Sequence, residues 1–161
     1  MGDKNRVLSI YEGLEKVPFG RKLFTLGICV KSPYFLSIRP KVLSLEAGRM
    51  QAEISQRFGI QNHIGSIHAL AMGNLVEFVA GVMMEATVPV HMRWIPKGLT
   101  MTYNKVAKGK ILAEALVDVP EVWENKFDLQ VRVRLTDVGG LEVVTACVPM
   151  YISPKIRNKI A

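Results

Sequence analysis

The run of residues 64–84 constrains this chain more than any other feature, because it is apolar on nearly every side. It is too long for one strand, so the pattern predicts a central helix, placed over residues 63–85. A helix that is apolar all round must be surrounded, and the flanking segments supply strands to do so. The run is also long enough to cross a bilayer. However, His68, Asn74 and Glu77 lie in its middle, and a central carboxylate costs about 2.5–3.5 kcal/mol on insertion scales. A buried helix with no membrane contact is expected.

The flanks read as strands. Met50, Ala52 and Ile54 alternate with Gln51 and Glu53, and Glu46-Ala47-Gly48 supplies a turn, giving two antiparallel strands within residues 34–54. Leu129, Val131, Val133 and Leu135 alternate with Gln130, Arg132 and Arg134, the period of a sheet with one wet face. Asp137-Val138-Gly139-Gly140 then reverses the chain into residues 141–152, and residues 99–104 and 111–119 read as two further strands joined across Lys108-Gly109. Before all of these, Val7, Leu8, Ile10, Tyr11 and Leu14 have helical spacing until Pro18 and Gly20 interrupt it, so residues 1–30 form an N-terminal helical extension. The expectation is one α+β domain over residues 1–161, a curved antiparallel sheet around a long central helix.

With 49% hydrophobic residues the chain has ample material for a core. Its net charge of +7 suggests an anionic partner. The cations are scattered, in small groups at Lys105, Lys108 and Lys110 and at Lys155, Arg157 and Lys159, which argues against nucleic acid. Cys29 and Cys147 stand alone, and Met1 to Arg6 are polar with no apolar core behind them, so a reduced, cytoplasmic protein is expected.

Glu77 is the only formally charged residue between positions 58 and 84, and an unpaired carboxylate in an apolar helix needs a partner or a task. It could be structural, hydrogen-bonded to Asn74. Alternatively, its helical neighbours Gly73, Asn74, Ala80 and Gly81 are small or polar, so a substrate could approach it. A carboxylate on such a face can act as general base for water or as nucleophile on an acyl carbon. Upstream, residues 62–69 read as a loop entering the helix, whose free amides near Ala69 and Leu70 could polarise a carbonyl. At a rise of 1.5 Å per residue, His68 and Glu77 lie roughly 13 Å apart along the helix, too far to share one carbonyl. Two antiparallel copies would bring Glu77 of one to the loop of the other. His63 and His68 are five residues apart and lack the spacing of a helical metal pair, so no metal is expected. No GxSxG elbow, P-loop or GxGxxG occurs.

The string Asn62, Gly65, His68, Ala69, Leu70 with Asn74 and Glu77 resembles the hotdog-fold acyl-CoA thioesterases of the phenylacetate-pathway type, in particular an uncharacterised bacterial branch of that superfamily. Pro33-Tyr34-Phe35 and residues 93–98 share the resemblance. It implies the hotdog fold, a coenzyme A thioester as substrate with no cofactor, and assembly as a homodimer or homotetramer. Asn62 would orient the thioester or water, the Ala69 amide would hold the carbonyl oxygen, and Glu77 would be base or nucleophile. His68 would support the loop, with Gly65, Leu70 and Asn74 lining the substrate and Lys105, Lys108 and Lys110 meeting the CoA phosphates. The family's Gly-Gly pair is here Ala69-Leu70, and its acid is here Glu rather than Asp. The first departure keeps open a non-catalytic acyl-CoA or fatty-acyl binding protein. A hydroxyacyl thioester dehydratase using His68 and Glu77 is a further alternative.

Overall fold

The computed structural model describes residues 5–155; Met1, Arg157 and Lys159, which entered the sequence arguments, lie outside the described residues. Seven strands form one antiparallel sheet: β1 (Lys41–Glu46), β2 (Arg49–Ser55), β3 (Met92–Pro96), β4 (Thr100–Tyr103), β5 (Lys110–Leu116), β6 (Phe127–Asp137) and β7 (Glu142–Pro154). Their order is β1-β2-β5-β6-β7-β3, with β4 also pairing β7. The sheet curves around the helix α3 (Ala69–Thr87), which packs mainly on β2 and β5. This is the hotdog arrangement that the resemblance implied.

The alternation predicted for β2 and β6 sets the register. Met50, Ala52, Ile54, Val131, Val133 and Leu135 all point inward and are buried. Opposite the helix stand Ala52, Ala113 and Ala115, which are fully buried. Their small size lets Leu75, Val76, Phe78, Val79 and Met83 of α3 lie close to the sheet, and all five are fully enclosed. Burying such side chains contributes about 1.5–3 kcal/mol each, which is why the apolar run drives this architecture.

Three expectations change. First, the helix spans 69–87 rather than 63–85, because the backbone of residues 62–68 is committed elsewhere. Asn62 Oδ1 accepts from the amides of Ile64 and Ser66, Gly65 takes φ +70°, and the Ile67 amide donates to Ala107 O. At the other end α3 stops at Thr87, since Val88 precedes Pro89 and is extended (ψ 135°). Second, β4 and β5 do not form a hairpin: β4 pairs β7, whereas β5 pairs β2 and β6. Third, residues 34–37 belong to a 3-10 segment, Pro33–Ser37, and Met92–Pro96 is an additional strand on the free edge of β7.

The N-terminal extension is two helices, α1 (Arg6–Glu15) and α2 (Gly20–Lys31). Asn5 caps α1 through Oδ1, which accepts from Val7 and Leu8, while its Nδ2 donates to Glu85 O and Val88 O at the end of α3. One side chain thus ties the extension to the central helix. Gly20 is required at the corner, since a Cβ there would sit 1.6 Å from Leu14 O. Tyr11 and Phe24 meet edge to face at 5.1 Å between the two helices.

On the outer sheet face Glu114 accepts from Arg134, Arg49 and Gln51. The Arg134 guanidinium, with Arg49 and Gln51, holds its carboxyl below the usual carboxylate range against the opposing effect of burial. Because the folded-state pKa is lowered, this stabilisation is complete above the unfolded carboxylate value and disappears as pH falls through the folded value. Glu114→Gln is expected to cost about 1–2 kcal/mol at neutral pH, a loss that denaturant titrations should show shrinking as pH is lowered below 4.

Candidate active site

Glu77 stands at the middle of α3 on the helix's least covered stripe, where Leu70, Glu77 and Glu85 are exposed while Gly73 lies half-buried by Met101 and Leu99 and Gly81 by Trp94. Within the single chain it is exposed rather than buried, and among the described residues its carboxylate has no hydrogen bond or ion pair. The expected contact with Asn74 is absent. Asn74 is itself buried, 6% exposed, and its Nδ2 donates to Ser37 Oγ at 2.9 Å. Its side chain therefore fastens α3 to the 3-10 segment instead of lining the face around Glu77.

At the start of the same helix, the first-turn amides do not share one fate. The Leu70 amide donates to His68 Nδ1 at 3.1 Å, and the amides of Ala71 and Met72 donate to His68 O. Among the described residues the Ala69 amide has no acceptor. Of the two amides expected to be free, Leu70 is thus occupied and Ala69 is open. It lies at the positive end of the helix dipole, where a developing oxyanion is favoured.

His68 is the N-cap residue. With Nδ1 accepting, the ring's proton sits on Nε2, which is not used in the cap. His68→Ala should therefore destabilise the fold by about 1 kcal/mol, as loss of an N-cap does. If capping is its task, thiol release from an acyl-CoA should stay within a few-fold of wild type at a temperature where the variant is folded.

Asn62 braces its own loop: besides the two amides that Oδ1 accepts, Nδ2 donates to Ser66 Oγ at 2.7 Å. Gln56 joins this loop to the next one, with Nε2 donating to Gly65 O and Oε1 accepting from the Gly109 amide. Residues 105–109 therefore border the helix N-terminus, which brings Lys105 and Lys108 to the edge of the site. Lys110 is directed elsewhere, 3.1 Å from Glu53 on the sheet. Tyr103, unremarked within the strand expected over residues 99–104, donates its hydroxyl to Ala69 O at 3.4 Å. No local pattern marks it, because β4 reaches α3 only through its pairing with β7.

Large apolar side chains crowd around this helix start without cover. Leu70 is 71% exposed, and Ile64, Leu99, Tyr103 and Val106 are also exposed. Cys29, by contrast, is buried on α2 far from Glu77 in the chain, and burial pushes its thiol pKa up, away from a reactive thiolate. Among the described residues no group of histidine, cysteine and carboxylate side chains is placed to hold a metal ion.

Residues 20–152 match the family model described as a domain of unknown function, DUF4442. Among solved structures, the structural-genomics protein APC5556 is 32% identical with a TM-score of 0.79, over 92% of this chain and 99% of that one. PA5026 from Pseudomonas aeruginosa, described as a "Probable Thioesterase", is 23% identical with a TM-score of 0.72, over 79% of this chain and 91% of its own. The protein smu.793 from Streptococcus mutans, solved with acetyl-CoA, is 19% identical with a TM-score of 0.62, over 73% of this chain and 90% of its own. No curated protein matches the chain. On the family match and the shared architecture, this chain belongs to the DUF4442 family and has the hotdog fold.

Proposed function

We propose that the chain hydrolyses acyl-CoA thioesters in a site shared between two copies. The observation that carries this reading is that one helix carries both an open Ala69 amide and an exposed Glu77, neither with a partner among the described residues. The two lie about 12 Å apart along the helix, so one chain cannot apply both to one carbonyl. A two-fold axis beside Gly73, midway between them, sets Glu77 of each copy against Ala69 of the other. The exposed Leu70, Leu99 and Tyr103 gain cover in such a pair. The acetyl-CoA held by smu.793 supports a CoA thioester as ligand for this fold.

In this arrangement Glu77 takes a proton from water, whose oxygen attacks the thioester carbon while the Ala69 amide of the other copy holds the oxyanion. The C–S bond then breaks, the acyl group leaves as a carboxylic acid, and the CoA sulfur recovers the proton from Glu77. In this reading Lys105 and Lys108, on the loop tied to residues 65–67, meet the CoA phosphates, whereas Asn62, Ser66 and Gln56 keep the loop in shape. The test is thiol release from acyl-CoAs ranging from acetyl to hexadecanoyl. Turnover on at least one supports hydrolysis. Tight binding by calorimetry with no thiol release on any would make the chain an acyl-CoA binding protein instead.

A further inference from the structure

A cleft of about 810 Å³ lies between the N-terminal helices and the C-terminal end of α3 with the β3 segment that follows it, away from the Ala69 end. Its volume lies within the range of small-ligand sites. Its walls include Leu14, Leu23, Phe24, Ile28, Val90 and Trp94. Leu23 is 54% exposed and Val90 38%, so the apolar lining has solvent where it could have contacts.

Charge around the cleft is one-sided. Arg6, Lys31, Arg93 and Lys155 line it against the single acid Glu85, whose Oε2 is engaged by the Trp94 indole N–H at 2.9 Å. Among the described residues none of the four cations is in an ion pair. Gly27 on the α2 wall is the second clue: glycine weakens a helix interior, and a Cβ there would meet nothing within 4 Å. No packing constraint within the chain demands glycine at this position, and its effect is to widen the cleft.

We infer that this cleft binds a single alkyl chain with an anionic head, the chain lying against the apolar wall and the head at the basic rim. That chemistry is shared by a long-chain fatty acid and a long-chain acyl-CoA. The inference does not rest on hydrolysis at Glu77, which lies two turns away along α3 and lines no part of the cleft.

The experiment uses the full chain and the fluorescent fatty acid 11-(dansylamino)undecanoate, displaced by hexadecanoate, hexadecanoyl-CoA or uncharged hexadecanol. The probe should bind the wild type and Glu77→Gln equally, and hexadecanoate should displace it more strongly than hexadecanol. Displacement by the acid at lower concentration than by the CoA ester identifies the free acid as ligand, and the reverse order identifies the ester. Gly27→Trp should fill the cleft and raise the probe Kd at least 10-fold while leaving the unfolding temperature unchanged or higher. Arg6→Glu with Lys31→Glu, both exposed and therefore safe for folding, should weaken hexadecanoate several-fold and hexadecanol little. The inference is overturned if the wild type does not bind the probe, or if both altered proteins bind it as the wild type does. A change of oligomeric state in Gly27→Trp would also overturn it, by making the cleft a seat for a second copy.

Discussion

Glu77→Gln should lower thiol release from the preferred acyl-CoA at least about 100-fold, the lower end of what a positioned general base supplies. The unfolding midpoint should move by less than about 2 °C, as for an exposed substitution away from packed features. Both halves of the expectation follow from the same observation. The carboxylate is exposed and, among the described residues, makes no hydrogen bond or ion pair, so one chain loses nothing when it becomes an amide. The amide keeps size and shape but cannot accept a proton from water. A structural carboxylate would give the opposite pattern, with stability falling and rate following it. A variant that turns over at the wild-type rate would place water activation elsewhere and remove Glu77 from the mechanism.

The same helix explains how much could be read from residues alone. Apolar periodicity reports which faces are covered, so the central helix, the inward side of β2 and the β6–β7 hairpin were legible, each being enforced by local alternation. Long-range pairing has no such local signal. Nothing within Thr100–Tyr103 indicates that it joins β7 rather than Lys110–Leu116, and Tyr103 next to Ala69 was hidden for the same reason. The helix bound at residue 63 overran the loop expected over residues 62–69, whose amides are spent on Asn62 and Ala107. Asn74 was misassigned because helical spacing places it beside Glu77 without revealing that the 3-10 segment covers that side. The positions of Asn62, Ala69 and Glu77 in the chain were legible through the resemblance. The open state of one amide among four was not, since it depends on how the His68 ring turns.

That single amide can be removed without disturbing its neighbours. Proline is favoured at the first position of a helix because the N–H it lacks is unused there, and Ala69 is that position in α3. The residue before a proline must be extended, and His68 already has φ −63° and ψ 139°. Ala69→Pro should therefore fold with an unchanged or slightly higher unfolding temperature, yet lose about 100- to 1000-fold in thiol release, as removal of one oxyanion donor does. The decisive measurement mixes this variant with Glu77→Gln. If each site takes Glu77 from one copy and Ala69 from the other, a mixed dimer carries one site with both defects and one with neither. Random reassortment makes half the dimers mixed, so about a quarter of wild-type activity should return from two nearly inactive proteins. If both groups acted within one chain, every site would keep a defect and mixing would restore nothing. Recovery thus separates a shared site from any arrangement in which the second copy merely stabilises the first.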